Sequence, residues 1–175
     1  MEAAEAAPRA QPPAQVLTPS DAVFAGGATV VWSGDLPRGS GGLRLERGAG
    51  GELPLVWPGS PEFGSGATTP EELAAAAYAS CFTMTLAYSL VRAGHAPRTI
   101  ETAARATFGL VGGARRIRSA ELEVAVDADG LDEPELGELT EQAGRHCPVS
   151  NTLRAGGVLL EVQARLGTAA HFAGT

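Results

Sequence analysis

From Leu73 to Val91 the chain runs for nineteen residues without a charged side chain. A segment apolar all round has to be covered on all sides, so it dictates what the rest of the chain must build. Its flanks mark it as a helix. Thr69 fits the N-cap and Pro70 the first helical position. Glu71 and Glu72 follow, so Thr69 and Glu72 can form a capping box and both acids sit at the positive end of the helix dipole. The helix is expected to run to about Arg92, with Gly94 at C′ and Pro97 beyond. Its length nearly suits a bilayer crossing. Much of it is Ala, Ser, Thr and Tyr, however, and no positive flank orients it. The reading is a buried helix of a soluble protein. In a chain of 175 residues, part of its cover is expected from a partner subunit.

The remaining elements alternate with turns. ATVVWSG (28–34) and LRLER (43–47) read as strands, and ELPLVW (52–57) as an edge or irregular strand because of Pro54. After the helix, TIETAARATFGLV and IRSAELEVAVDAD alternate as strands do, joined by the turn GGARR. LDEPELGELTEQAGRH is an amphipathic helix with Leu136 and Leu139 inward. Pro148 can start a short helix after Cys147, and GGVLLEVQARL is a last strand. Strands in hairpin-like runs with helices between the runs point to an α+β fold with mostly antiparallel sheet. Residues 1–20, rich in Ala, Pro and Glu, read as a disordered tail.

Charge and composition narrow the chemistry. The net charge of −7 disfavours binding to nucleic acid or to an anionic membrane. All thirteen basic residues are arginine, which excludes Schiff-base and lysine-dependent phosphate-loop mechanisms. Two cysteines are too few for a disulfide scaffold, and the N-terminus lacks the features of a secretory signal, so a cytoplasmic location is expected. Cys81 lies within the apolar helix, where a small buried hydrophobe is a sufficient explanation. Cys147 sits at an expected helix N-terminus, where free N–H groups and the dipole lower a thiol pKa. The two are 66 positions apart, so only the fold could unite them. A zinc site is poorly supported, with no CxxC and with His95, His146 and His171 scattered. His146 could act as a base, or be a solvated residue at a helix end. The residues alone leave a candidate dithiol with arginine and glutamate for company.

Those segments also carry a likeness. TTPEELAAAAYASCF resembles the nucleophilic-cysteine motif of the OsmC/Ohr superfamily, the osmotically inducible and organic hydroperoxide resistance proteins, and CPVSNTL resembles its second-cysteine motif. ATVVWSGDLPRGSGG and LVRAGHAPRTIET are similar to the family's N-terminal segment and to the stretch after its central helix. The likeness runs in order from about Ala28 to Leu166. It implies an α+β fold with antiparallel sheets packed around two central helices in an intertwined homodimer. A single domain over 21–167 would lie between tails at 1–20 and 168–175. No metal, haem or flavin is implied.

The resemblance also implies thiol-dependent reduction of organic hydroperoxides to alcohols, with a role in oxidative stress defence. Cys81 would be the nucleophile and become a sulfenic acid, Cys147 would resolve it as a disulfide, and an external dithiol of the lipoyl type would restore the pair. A buried thiolate needs a guanidinium, and Glu71 corresponds to the family glutamate that positions one. The sequence departs from the OsmC branch here, because residues 48 to 91 hold no arginine. The Ohr branch takes its arginine from the N-terminal glycine-rich segment, where this chain has Arg38. Arg44 is a weaker candidate, since Leu43 and Leu45 are expected to point inward. Tyr78, Phe82, Met84, Leu73, Trp57 and Phe63 would make an apolar pocket or simply core. A non-catalytic OsmC-like fold binding a small apolar ligand at the dimer interface is the alternative.

Overall fold

In the computed structural model, residues 25–48, 50–59, 64 and 66–167 are described. The expectations for the tails at 1–20 and 168–175, and for Phe63 and His171, lie outside these residues. Nine elements follow one another: β1 (Ala28–Ser33), β2 (Ser40–Leu45), β3 (Leu53–Leu55), α1 (Pro70–Ala93), β4 (Pro97–Val111), β5 (Ala114–Ala128), α2 (Glu133–His146), α3 (Pro148–Ala155) and β6 (Leu159–Leu166).

Helix α1 begins and ends as its sequence dictates. The Thr69 hydroxyl accepts from the Glu72 N–H at 3.2 Å and the Glu72 carboxylate accepts from the Thr69 N–H at 3.0 Å, completing the capping box. At the far end Gly94 takes φ 97°. Its N–H bonds the Val91 carbonyl and the His95 N–H bonds the Leu90 carbonyl, a Schellman motif that a side chain with a Cβ would strain. By length and apolar composition alone α1 could cross a membrane. Here it packs by one stripe onto the protein's own sheet.

That sheet is β4-β5-β6. β4 and β5 form a long antiparallel hairpin closed by Gly112 and Gly113, both at positive φ, as a two-residue primed turn requires. The turn is thus shorter than GGARR, and Arg115 and Arg116 belong to β5. β6 pairs parallel to β5, whereas the other described strand pairs are antiparallel, so the sheets are mostly antiparallel as expected. The α2–α3 pair supplies the crossover that a parallel partner needs. On β5, Ala120, Leu122, Val124 and Val126 face the core at every second residue. Tyr78, Phe82, Leu86 and Leu90 of α1 meet them, and Leu136, Leu139 and Ala143 of α2 close the cluster.

The cover of α1 is incomplete within one chain. Its buried residues fall at three- and four-residue intervals, whereas Met84 is 67% and Val91 44% exposed. The other sheet, β1-β2-β3, touches little else among the described residues. An isolated bridge between Leu55 and Thr68 ties it to the start of α1. Val30 and Val31, on opposite faces of β1, are both exposed. Leu43 is buried, but Leu45, expected inward with it, is half exposed because none of the described residues packs over that end of the strand.

Candidate active site

α1, α2 and α3 bring the two cysteines together. Cys81 lies three turns into α1, on the side that faces the α2–α3 junction. Cys147 is at that junction, ending α2 and serving as N-cap of α3, with Pro148 starting the next helix. Both are free thiols. The Cys147 thiol donates to the Cys81 sulfur across 3.3 Å. A disulfide needs about 2.05 Å, so the sulfurs would close by little more than one ångström. Cys147 is fully buried and Cys81 partly exposed, so a reagent from solvent meets Cys81 first.

The N-terminus of α3 serves both sulfurs. The Ser150 N–H donates to the Cys147 sulfur at 3.5 Å, and the Val149 N–H is directed at Cys81. These were legible only indirectly, as the helix-start signature in HCPVS; that two successive N–H groups would divide between two sulfurs depends on where α1 passes. Burial nevertheless pushes the Cys81 thiol up, the Val149 N–H opposes the rise, and the neighbouring Cys147 adds to it. No guanidinium contributes.

The other two expected site residues stand apart from the sulfurs. Glu71 is in the first turn of α1, ten residues before Cys81, or about 15 Å along a straight helix. One of its carboxylate oxygens, Oε2, is buried and has no hydrogen-bond partner. A buried acceptor left unpaired is costly. Arg38 sits in the β1–β2 connection, where its guanidinium pairs with Asp35 at 2.9 Å and its own N–H bonds the same carboxylate. Its side chain is 84% exposed, and within the chain it reaches neither Glu71 nor Cys81. Arg44 is exposed on β2.

The apolar neighbours divide. Tyr78 and Phe82 are core, with rings edge to face at 6.4 Å. Leu73 and Trp57 are half-buried and Met84 is exposed, so these three are not core. Among the described residues, no group of three or more His, Cys, Asp or Glu is placed to hold a metal ion.

Fold and site together define an α+β protein with a preassembled pair of free thiols at a helix N-terminus. The family model of the OsmC-like proteins matches residues 63–163. Peroxiredoxin OsmC of Escherichia coli K12 is 35% identical over 124 residues, covering 71% of this chain and 86% of that protein. The chain belongs to the OsmC-like family. Among solved structures, the organic hydroperoxide resistance protein OhrB of Bacillus subtilis superposes with a TM-score of 0.64 at 25% identity, over 82% of this chain and all of that one. An OsmC-like protein of unknown function from Vibrio cholerae shares the fold with a TM-score of 0.67 at 14% identity, covering 82% of this chain and all of its own.

Proposed function

We propose that this protein is a cytoplasmic thiol-dependent peroxidase that reduces organic hydroperoxides to alcohols in defence against oxidative stress. The 3.3 Å approach of the two sulfurs is the observation that carries the reading. The Cys81 thiolate attacks the distal peroxide oxygen and breaks the O–O bond. The alkoxide takes a proton and leaves as alcohol, and Cys81 becomes a sulfenic acid. The Cys147 sulfur then attacks the sulfenic sulfur, a disulfide forms and water leaves. An external dithiol, of the lipoyl type in our reading, reduces the disulfide by exchange and is itself oxidised. The names of the relatives, a peroxiredoxin and an organic hydroperoxide resistance protein, accord with this.

The working unit is a homodimer of the 21–167 domain. The exposed face of α1 and the β1–β3 sheet, tied to the described chain mainly through the Leu55–Thr68 bridge, support that assembly. A dimer also supplies what one chain lacks. Glu71 Oε2 is a buried acceptor without a donor, and Cys81 is a partly buried thiol without a cation. An arginine reaching both would satisfy the first and hold the second as thiolate. Arg38 of the partner subunit is our candidate, since its bond to Asp35 is exposed and worth little.

The missing cation motivates the second reading, a non-catalytic protein of this fold that binds a small apolar ligand at the dimer interface. Consumption of cumene hydroperoxide in the presence of a dithiol separates the two. Turnover that disappears in Cys81→Ser is expected; no turnover by the unaltered protein with any dithiol would favour the second reading.

A further inference from the structure

Helices α1 and α3 face each other at two levels. At one, Cys81 meets Cys147 across 3.3 Å. Tyr78 stands about one turn before Cys81 on α1, and Ser150 about one turn after Cys147 on α3, so at the next level Tyr78 meets Ser150. Both hydroxyls are buried, and neither has a partner elsewhere among the described residues. They lie against each other, slightly short of a formed hydrogen bond. Burial pushes the Tyr78 phenol up, the Ser150 hydroxyl opposes the rise and the Cys147 sulfur adds to it. The phenol therefore keeps its proton at neutral pH and is available to donate to Ser150.

Little else fixes α3 on α1. It is eight residues long, and a helix so short takes its place from its contacts rather than from its own stability. Ser150 is its one buried residue, while Val149 and Leu153 are only partly buried. The thiol pair is itself a weak tether, because S–H is a weak donor. A rotation of α3 that parted Ser150 from Tyr78 would swing Cys147, its N-cap, away from Cys81.

We propose that Tyr78 and Ser150 are positioning residues for the resolving step, their buried contact setting how α3 sits on α1 and holding the Cys147 sulfur in line with Cys81. The inference rests on the two-thiol reading above. In that step the S–S bond forms, the Cys81 S–O bond breaks, and the departing hydroxide takes the Cys147 proton as water. Neither hydroxyl gains or loses a proton. A misplacement of about 1 Å in such a geometry costs on the order of 10²-fold in rate.

Tyr78→Phe, Ser150→Ala and the double variant remove the hydroxyls while keeping the ring packing and the Ser150 N–H cap. Sulfenic acid formation on Cys81, trapped by dimedone, should stay within about twofold of native, and its conversion to the disulfide should slow roughly tenfold or more. The Cys81–Cys147 disulfide, equilibrated with dithiothreitol, should become roughly tenfold easier to reduce, because the two sulfurs are held together less well. The double variant leaves no buried hydroxyl alone, so its Tm should recover toward native while both effects persist at the size seen in a single variant. Recovery of resolution and equilibrium together with Tm would reduce the pair to packing and refute the positioning role. Native resolution in the single variants, or an equal slowing of sulfenic acid formation, would refute it too. The dithiothreitol equilibrium uses no peroxide, so it reads the positioning even if the native protein consumes no hydroperoxide. An unshifted equilibrium, or a native protein that forms no Cys81–Cys147 disulfide at any ratio of oxidised to reduced dithiothreitol, would overturn the assignment.

Discussion

Replacing Cys147 separates the two jobs that its sulfur is proposed to do. Structurally, the sulfur fills a fully buried position and caps α3 by accepting from the Ser150 N–H. Cys147→Ala removes one buried atom of methylene size, about 0.8 kcal/mol in transfer. The void adds roughly 0.5 kcal/mol at about 24 cal/mol per Å³. Loss of the cap adds roughly 0.5–1 kcal/mol, the low half of the usual range because sulfur accepts weakly. The total of about 2 kcal/mol corresponds to a fall in Tm of roughly 4–8 °C for a domain of this size. Cys147→Ser keeps an acceptor for the Ser150 N–H and should cost about half as much, near 1 kcal/mol. Thermal and urea unfolding of the reduced proteins reads this order. Chemically, the two variants should behave alike. Each should consume one equivalent of hydroperoxide and stop with a sulfenic acid on Cys81 that dimedone traps. Alanine as stable as the native protein would refute the structural part. Native turnover rates with a dithiol in Cys147→Ser would refute the resolving role.

Glu71→Gln keeps the shape of the orphaned side chain and removes its charge; peroxidase kcat/KM should fall at least roughly tenfold with little change in stability. Arg38→Ala should act in the same direction, and the double variant should fall short of the product of the two effects if the groups work together across the interface. Independent effects would break that link. Met84→Glu should yield monomers by analytical ultracentrifugation and lose peroxidase activity, whereas an exposed side chain on a monomer would tolerate the change within about 0.5 kcal/mol. His95 is held above its ordinary pKa by the Asp129 carbonyl and by Glu135. A raised pKa in the folded state contributes stability that is fully present below the ordinary histidine value and lost as pH rises through the elevated one. Urea midpoints should therefore fall between mildly acidic and mildly alkaline pH, and the fall should shrink in His95→Ala. An identical pH profile in the variant would remove His95 as its source.

Much of the fold was legible because it rests on local rules. The capping box of α1, its glycine stop, the inward leucines of α2 and the N-cap position of Cys147 each follow from a few adjacent residues. The parallel pairing of β6 did not, because strand direction depends on where α2 and α3 carry the chain and no residue within 156–166 encodes it. Leu45 was misplaced for a related reason: alternation tells which face a residue shares, not whether anything packs on that face. Spacing alone left the site half visible. Both cysteines had local signals, but their meeting depends on the packing of three helices.

The most direct measurement is a free-thiol count before and after one equivalent of cumene hydroperoxide, with the products mapped by mass spectrometry. Loss of two thiols and recovery of a peptide linking Cys81 to Cys147 is the predicted result. Two thiols unchanged after minutes would contradict the account and leave the pair as packing.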